Sequence, residues 1–253
     1  MNTHWSALAD EMTRWQQAGR TVDFWWRDDD ACQVTPGLTQ LVRLAETAAI
    51  PLALAVVPQG IHPDVRALGA GQVSLLQHGV DHVNRGALGE KKSEFSASEP
   101  VEQSLARLAQ GRSLIQGCQT LPVLVPPWNR VSSKPLLERL AGAGYQGISR
   151  FGARRAASAL AGLVQVNTHV DIIDWRGTRG FVGEEAAIAA ALGHLQARRM
   201  GSADAAEATG WLSHHLVHDA ACWRFLATLF EHSSRHPAVA WRSAGTLFAP
   251  ADA

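Results

Sequence analysis

The chain is poor in cysteine, with Cys32, Cys118 and Cys222 the only three in 253 residues. They lie far apart and in no metal-ligand spacing, which argues against a disulfide scaffold or a cysteine-held zinc module. Reduced thiols and a cytoplasmic location are the expectation. Neither sign of charge is in surplus, since Lys plus Arg and Asp plus Glu both number 23. No basic excess therefore speaks for nucleic acid or an anionic membrane surface as partner. No apolar run reaches the ~20 residues of a membrane span. The first twenty residues carry Asp10, Glu11, Arg14 and Arg20 and lack the apolar stretch of an export signal. Tyrosine occurs once against nine tryptophans, most of them expected to serve packing.

What is present suffices for one large core: 46% of residues are hydrophobic, and neither linker nor repeat divides the chain. Residues 1–253 read as one domain with an N-terminal helix inside 1–20. Trp5, Leu8, Met12 and Trp15 share one face of that helix. Strands are predicted at 21–26, 52–57, 73–77, 121–125, 145–149, 163–166, 210–213 and 238–241, mostly separated by helical patterns. The run Leu52-Ala53-Leu54-Ala55-Val56-Val57 is apolar on both faces, as in a covered parallel sheet. The alternation predicts an α/β fold of parallel βαβ units closing as a (β/α) barrel. The segment 84–100 lacks apolar periodicity and reads as a mobile surface loop. Arg150, Arg154 and Arg155 mark a solvated basic connector, and both segments are expected to tune specificity.

The informative stretch is Phe24-Trp25-Trp26-Arg27-Asp28-Asp29-Asp30-Ala31, a strand-like apolar run ending in three carboxylates. Adjacent negative charges repel, and one arginine cannot neutralise three. A second stretch, Gln77-His78-Gly79-Val80-Asp81-His82, offers two imidazoles four residues apart. In a helical turn these would stack within reach of one ion. A carboxylate with two histidines is a common ligand set for a divalent metal that keeps open positions. Asp28–Asp30, His78, Pro126–Trp128 and His214 all come just after predicted strands, whose ends converge on one mouth in a barrel.

The order Asp-Asp, His-x-x-x-His, Pro-Pro-aromatic, Asp-Trp, Leu-x-His resembles the polysaccharide deacetylase family, carbohydrate esterase family 4, over about residues 22–247. The resemblance implies an irregular (β/α) barrel of about seven parallel strands. It also implies a divalent metal, zinc by preference, and removal of N- or O-acetyl groups from sugars. Carried over residue by residue, it makes Asp29 the general base and Asp30, His78 and His82 the metal ligands, with Asp28–Asp29 as the alternative register. His214 becomes the general acid, chosen over His215 and over His218, which also comes after a Leu-x pair. Pro127 and Trp128 match the turn whose aromatic N–H holds the oxyanion, while Asp174 and Trp175 help shape the pocket. The family's arginine before the prolines is replaced by Val125, so Arg27 or Arg130 is expected to orient the base. A metal-dependent amidase acting on a non-sugar amide and an inactive barrel that binds a carbohydrate or a protein are the competing readings.

Overall fold

The computed structural model describes residues 3–117, 119–157, 160 and 162–249, so Cys118 lies outside the described residues. The apolar runs form β1 Val22–Ala31, β2 Leu52–Val56, β3 Val73–His78, β4 Thr120–Val125, β5 Gly147–Ile148, β6 Val164–Gln165, β7 Val170–Asp171, β8 Thr209–Ser213 and β9 Val239–Trp241. The helices are α1 Thr3–Gln17, α2 Pro36–Ala48, α3 Pro63–Ala67, α4 Val101–Ile115, α5 Lys134–Arg139, α6 Glu184–Met200, α7 Ala220–Ser234 and α8 Ala244–Leu247. All strand pairings are parallel, in the order β6-β5-β4-β3-β2-β1-β8-β7, with β9 beside the first residues of β1. The curled sheet stays open between β6 and β7, the two ends of the strand order. This is the expected irregular barrel, with nine strands among the described residues rather than about seven. The surplus includes β7, two residues long, inside a segment whose polar residues hid its strand character.

Strand alternation sorts β1 between two layers. Phe24 and Trp26 face outward and pack with α1, α6 and α7 residues such as Trp15, Leu195 and Phe230. Trp25 faces the barrel interior with Ala53, Ala55, Leu76, Val123 and Val125. The same alternation sends Arg27 and Asp29 inward and Asp28 outward. The strand also runs further than predicted: the aspartates belong to β1, and its pairing to β2 is broken by a bulge between Asp28 and Ala31. Asp30 sits in that bulge with φ 73°.

Candidate active site

Arg27 reaches across the barrel interior with no exposed surface. Its Nε donates to Asp29 Oδ1 at 2.8 Å and its Nη2 to Asp29 Oδ2 at 2.9 Å. The same guanidinium donates to Ser149 Oγ at 2.6 Å and Asn129 Oδ1 at 2.7 Å. One arginine thereby ties the ends of β1, β4 and β5 and fixes both oxygens of Asp29, a bidentate geometry that lysine cannot provide. Arg130, the other arginine considered, points elsewhere and donates to the Lys92 carbonyl at 2.7 Å. Asp28, on the outer face, is engaged separately. It accepts from Ser213 Oγ at 2.6 Å, from the His215 N–H at 3.0 Å and from His215 Nδ1 at 2.5 Å. Burial alone would raise Asp28, yet the charge and bond of His215 hold it below the ordinary carboxylate value. Burial alone would lower His215, but the charge and bond of Asp28 outweigh it and leave the ring raised.

Asp30 faces the two histidines. Its Oδ1 lies 3.0 Å from His78 Nε2 and 3.2 Å from His82 Nε2. His78 Nδ1 is 3.0 Å from the Val125 carbonyl, which can only accept, so the ring's proton sits on Nδ1. In the neutral ring, Nε2 then aims a lone pair at a carboxylate oxygen. Two acceptors facing each other at that distance need a positive charge between them, either a second ring proton on Nε2 or a metal ion. Asp30 Oδ1 is buried and has no hydrogen-bond partner among the described residues. The donor set and its electronic arrangement therefore fit a divalent ion held by Asp30, His78 and His82.

Electrostatics agree with a slot for one cation. Burial lowers His78, but the charge of Asp29 and the contact with Asp30 outweigh it and leave the ring raised. His82 is lowered by burial and then by His78. Burial raises Asp30, but His78, His214 and His82 together outweigh it and leave the carboxyl below its ordinary value.

The pair does not lie in the helical turn expected from its spacing. Residues 79–82 form an irregular turn in which Gly79 has φ 58° and His82 φ 56°. The left-handed backbone at Gly79 is easy only for glycine. The space is closed as well, because a Cβ there would overlap Glu94 Oε2 and come within 2.6 Å of Pro127 Cδ. Glu94 belongs to the segment expected to be mobile. The stretch 93–96 within it is instead buried, with Ser93, Glu94, Phe95 and Ser96 at 0–2% exposure.

Pro127 therefore packs beside the histidine turn, and the Trp128 ring lies 4.5 Å from the His82 ring. Trp128 and Asn129 both have φ 54°. The turn's own backbone bonds run from the Asn129 N–H to Pro126 O and from the Arg130 N–H to Pro127 O, which leaves the Trp128 N–H out of them. Across the mouth, His214 comes directly after β8 as expected, with Nε2 4.0 Å from Asp29 Oδ2. Trp175 packs edge-on against it at 4.7 Å. The Trp175 Nε1 donates to Asp171 Oδ2 at 2.8 Å. Burial raises Asp171, a shift opposed by His214.

Asp174 does not reach this group, contrary to expectation. Its carboxylate accepts from the Arg176, Gly177 and Thr178 N–H groups, so it builds the turn after β7. The residues that reach the site without a signal of their own in the sequence patterns are Asn129, Ser149, Asp171 and Glu94. Asn129 and Ser149 at least stood at strand ends, whereas Asp171 and Glu94 carried no local signal.

A second buried group, His169, His194 and Glu207, superficially resembles a metal site. Its rings stack almost parallel, 13° apart with centroids at 3.4 Å, so no ion can lie in both ring planes. The Gly210 N–H donates to His169 Nδ1 at 3.0 Å, which puts the ring's proton on Nε2, facing Glu207 Oε2 at 3.3 Å. A proton already fills the place that an ion would take.

No family model matches the chain, and no curated protein matches it. Solved structures do. The Xyl-CE4 domain of a multidomain xylanase from the hindgut metagenome of Trinervitermes trinervoides superposes with a TM-score of 0.56 at 12% identity, covering 90% of each chain. The family 4 acetyl xylan esterase of Clostridium thermocellum, in complex with a cobalt ion, gives 0.51 at 12% identity over 89% of this chain and 90% of that one. The chain has the fold of the family 4 carbohydrate esterases. Puue allantoinase superposes as well, with a TM-score of 0.58 at 14% identity over 91% of this chain and 90% of its own. No helix among the described residues is long and apolar enough to cross a membrane.

Proposed function

We propose that the chain is a metal-dependent hydrolase that removes an acetyl group from an N- or O-acetylated sugar or a related compound. The observation that carries the reading is the meeting of Asp30 with Nε2 of both His78 and His82 beside a carboxylate, Asp29, locked by Arg27. Asp30, His78 and His82 would hold the ion, with zinc preferred for an N,N,O donor set. Bound there, such an ion supplies a water whose pKa falls toward about 7 and polarises the acyl oxygen.

The chain's own residues do the rest. Arg27 holds the Asp29 carboxylate in one orientation, ready to take a proton from the attacking water. The Trp128 N–H, free of the turn's own bonding, donates to the oxygen on which charge develops. Donors of this kind contribute roughly 2.7–4 kcal/mol where measured. His214, on the opposite side of Asp29, carries the proton to the departing nitrogen or oxygen. Trp175 holds the His214 ring by edge contact and is itself fixed by Asp171. Free thiols at Cys32 and Cys222 fit a reducing, cytoplasmic setting. A soluble acetylated sugar or glycan precursor would be the substrate there.

The test is metal content and turnover of an acetyl ester and an N-acetylated sugar by the purified chain. Asp29→Asn should abolish hydrolysis with the ion retained, and His78→Ala should lose the ion. Retained ion in the His78 variant contradicts the ligand set. The allantoinase neighbour and Val125 in place of the expected arginine favour a second reading, hydrolysis of a non-sugar amide. Turnover of such an amide with none of the acetyl compounds would select it, and bound ion without turnover of either would leave a binding barrel.

A further inference from the structure

The segment 92–95 lies between the two strained turns of the site and bonds to both. Toward the histidine turn, Glu94 Oε1 accepts from the Val80 N–H at 2.9 Å and the Asp81 N–H at 3.4 Å. Its Oε2 accepts from the His82 N–H at 3.2 Å. Toward the tryptophan turn, the Lys92 carbonyl accepts from Arg130 Nη1, and Ser93 Oγ donates to Arg130 O at 3.4 Å. The Phe95 carbonyl accepts from the Ser132 N–H at 3.0 Å, and its ring is fully buried beneath Val80 and Val131.

A carboxylate with no exposed surface is costly unless its bonds are satisfied. Glu94 satisfies its own with three consecutive amides of one turn and with Arg107 Nη1 at 3.2 Å. Successive N–H groups converging on an anion form a nest, which fixes the backbone that supplies them. The backbone fixed here includes His82, a non-glycine residue in the left-handed region. Within the turn, Asp81 Oδ1 accepts from the Val83 N–H at 3.1 Å and closes the backbone around His82. The group that binds the His82 N–H itself comes from twelve residues further along the chain, with Arg107 of α4 behind it.

We infer that Glu94 is a positioning residue for the second histidine: it clamps the 79–82 turn so that His82 Nε2 meets Asp30, and its strap keeps the Trp128 turn against the same ring. The inference rests on the metal reading given above. Partners that orient a ligand from behind typically contribute 10–100-fold in metal affinity.

The experiment measures Zn²⁺ affinity of the full chain by chelator competition for wild type, Glu94→Ala, Glu94→Gln, His82→Ala and the double variant Glu94→Ala/His82→Ala. Glu94→Ala should weaken binding 10–100-fold. Glu94→Gln, which keeps the size and one acceptor, should lose less and serves where the alanine variant does not fold. The decisive term is the double variant: with His82 removed, loss of Glu94 should change affinity less than twofold. A general structural role would weaken binding equally in both backgrounds and would overturn the inference, as would wild-type affinity in Glu94→Ala. Zn²⁺ binding that is indifferent to Glu94 leaves the metal reading intact. A wild-type chain that takes up no ion overturns both.

Discussion

Replacing Arg27 by methionine probes the centre of the site most directly. The guanidinium and its partner Asp29 are 0% and 2% exposed, and four hydrogen bonds of 2.6–2.9 Å converge on the arginine. Methionine fills most of the volume but leaves Asp29, Ser149 and Asn129 without their donor. Removing one partner of a buried pair costs roughly 3–5 kcal/mol, because the other charge stays buried. Urea unfolding of Arg27→Met should show a loss of that size. In Arg27→Met/Asp29→Asn the stranded charge is gone, so the double variant should recover roughly 1–3 kcal/mol relative to Arg27→Met. Arg27→Lys separates charge from geometry: it keeps the cation but cannot grip both oxygens. Its hydrolysis of the acetyl substrate should fall in kcat with KM and bound metal unchanged. An Arg27→Met chain within about 1 kcal/mol of wild type, or single costs that simply add, would refute the claim that this pair holds the base.

Two further outcomes are expected from the same geometry. Gly79→Ala places a side chain in left-handed backbone, costing roughly 1–2 kcal/mol by itself, and drives its Cβ into Glu94 and Pro127; a lower urea midpoint together with weakened Zn²⁺ binding is expected, and an unchanged midpoint would contradict the closed space. His169, lowered by burial from 6.5 to about 4, binds its proton less readily folded than unfolded. Its contribution to stability is therefore complete above about pH 6.5 and is lost as pH falls toward 4, by at most about 1.4 kcal/mol per pH unit. Urea midpoints at pH 7 and pH 5 should differ less in His169→Asn than in wild type, and equal slopes would count against a neutral buried ring.

Much of the fold is legible in the sequence because parallel strands announce themselves. A continuous apolar run such as 52–57 can only be buried on both faces, and residues just past the C-terminal ends of such strands share one mouth in a barrel. That logic, with the resemblance, brings residues 29, 30, 78, 82, 128 and 214 together. It fails where position depends on contacts distant in sequence. Glu94 looks like part of a polar loop because its partners, three backbone amides and Arg107, have no side-chain signature at that spacing. Asp171 is hidden for the opposite reason: a two-residue strand has too few alternations to betray which side chain faces in. Asp174 misleads because an aspartate before a tryptophan is chemically indistinguishable from one that builds a turn.

The three consecutive aspartates show how the fold resolves what the sequence poses as a conflict. In a regular strand Asp28 and Asp30 would share the outer face, and two of three like charges would compete for one set of partners. The bulge at Asp30, with its positive φ, breaks that alternation and turns the third carboxylate toward the histidines. Each charge then meets a different cationic or donor group: His215 and Ser213 for Asp28, Arg27 for Asp29, His78 and His82 for Asp30. Asp28 and Asp29 are satisfied by the protein alone. Asp30 faces a ring whose Nδ1 proton is committed to a carbonyl on its other side, so the positive charge between Asp30 and Nε2 is either a second proton or a metal ion. Repulsion along the strand and the donor set at its end are thus one electrostatic problem, and the bulge is the feature that separates the charges and aims the third at the two histidines.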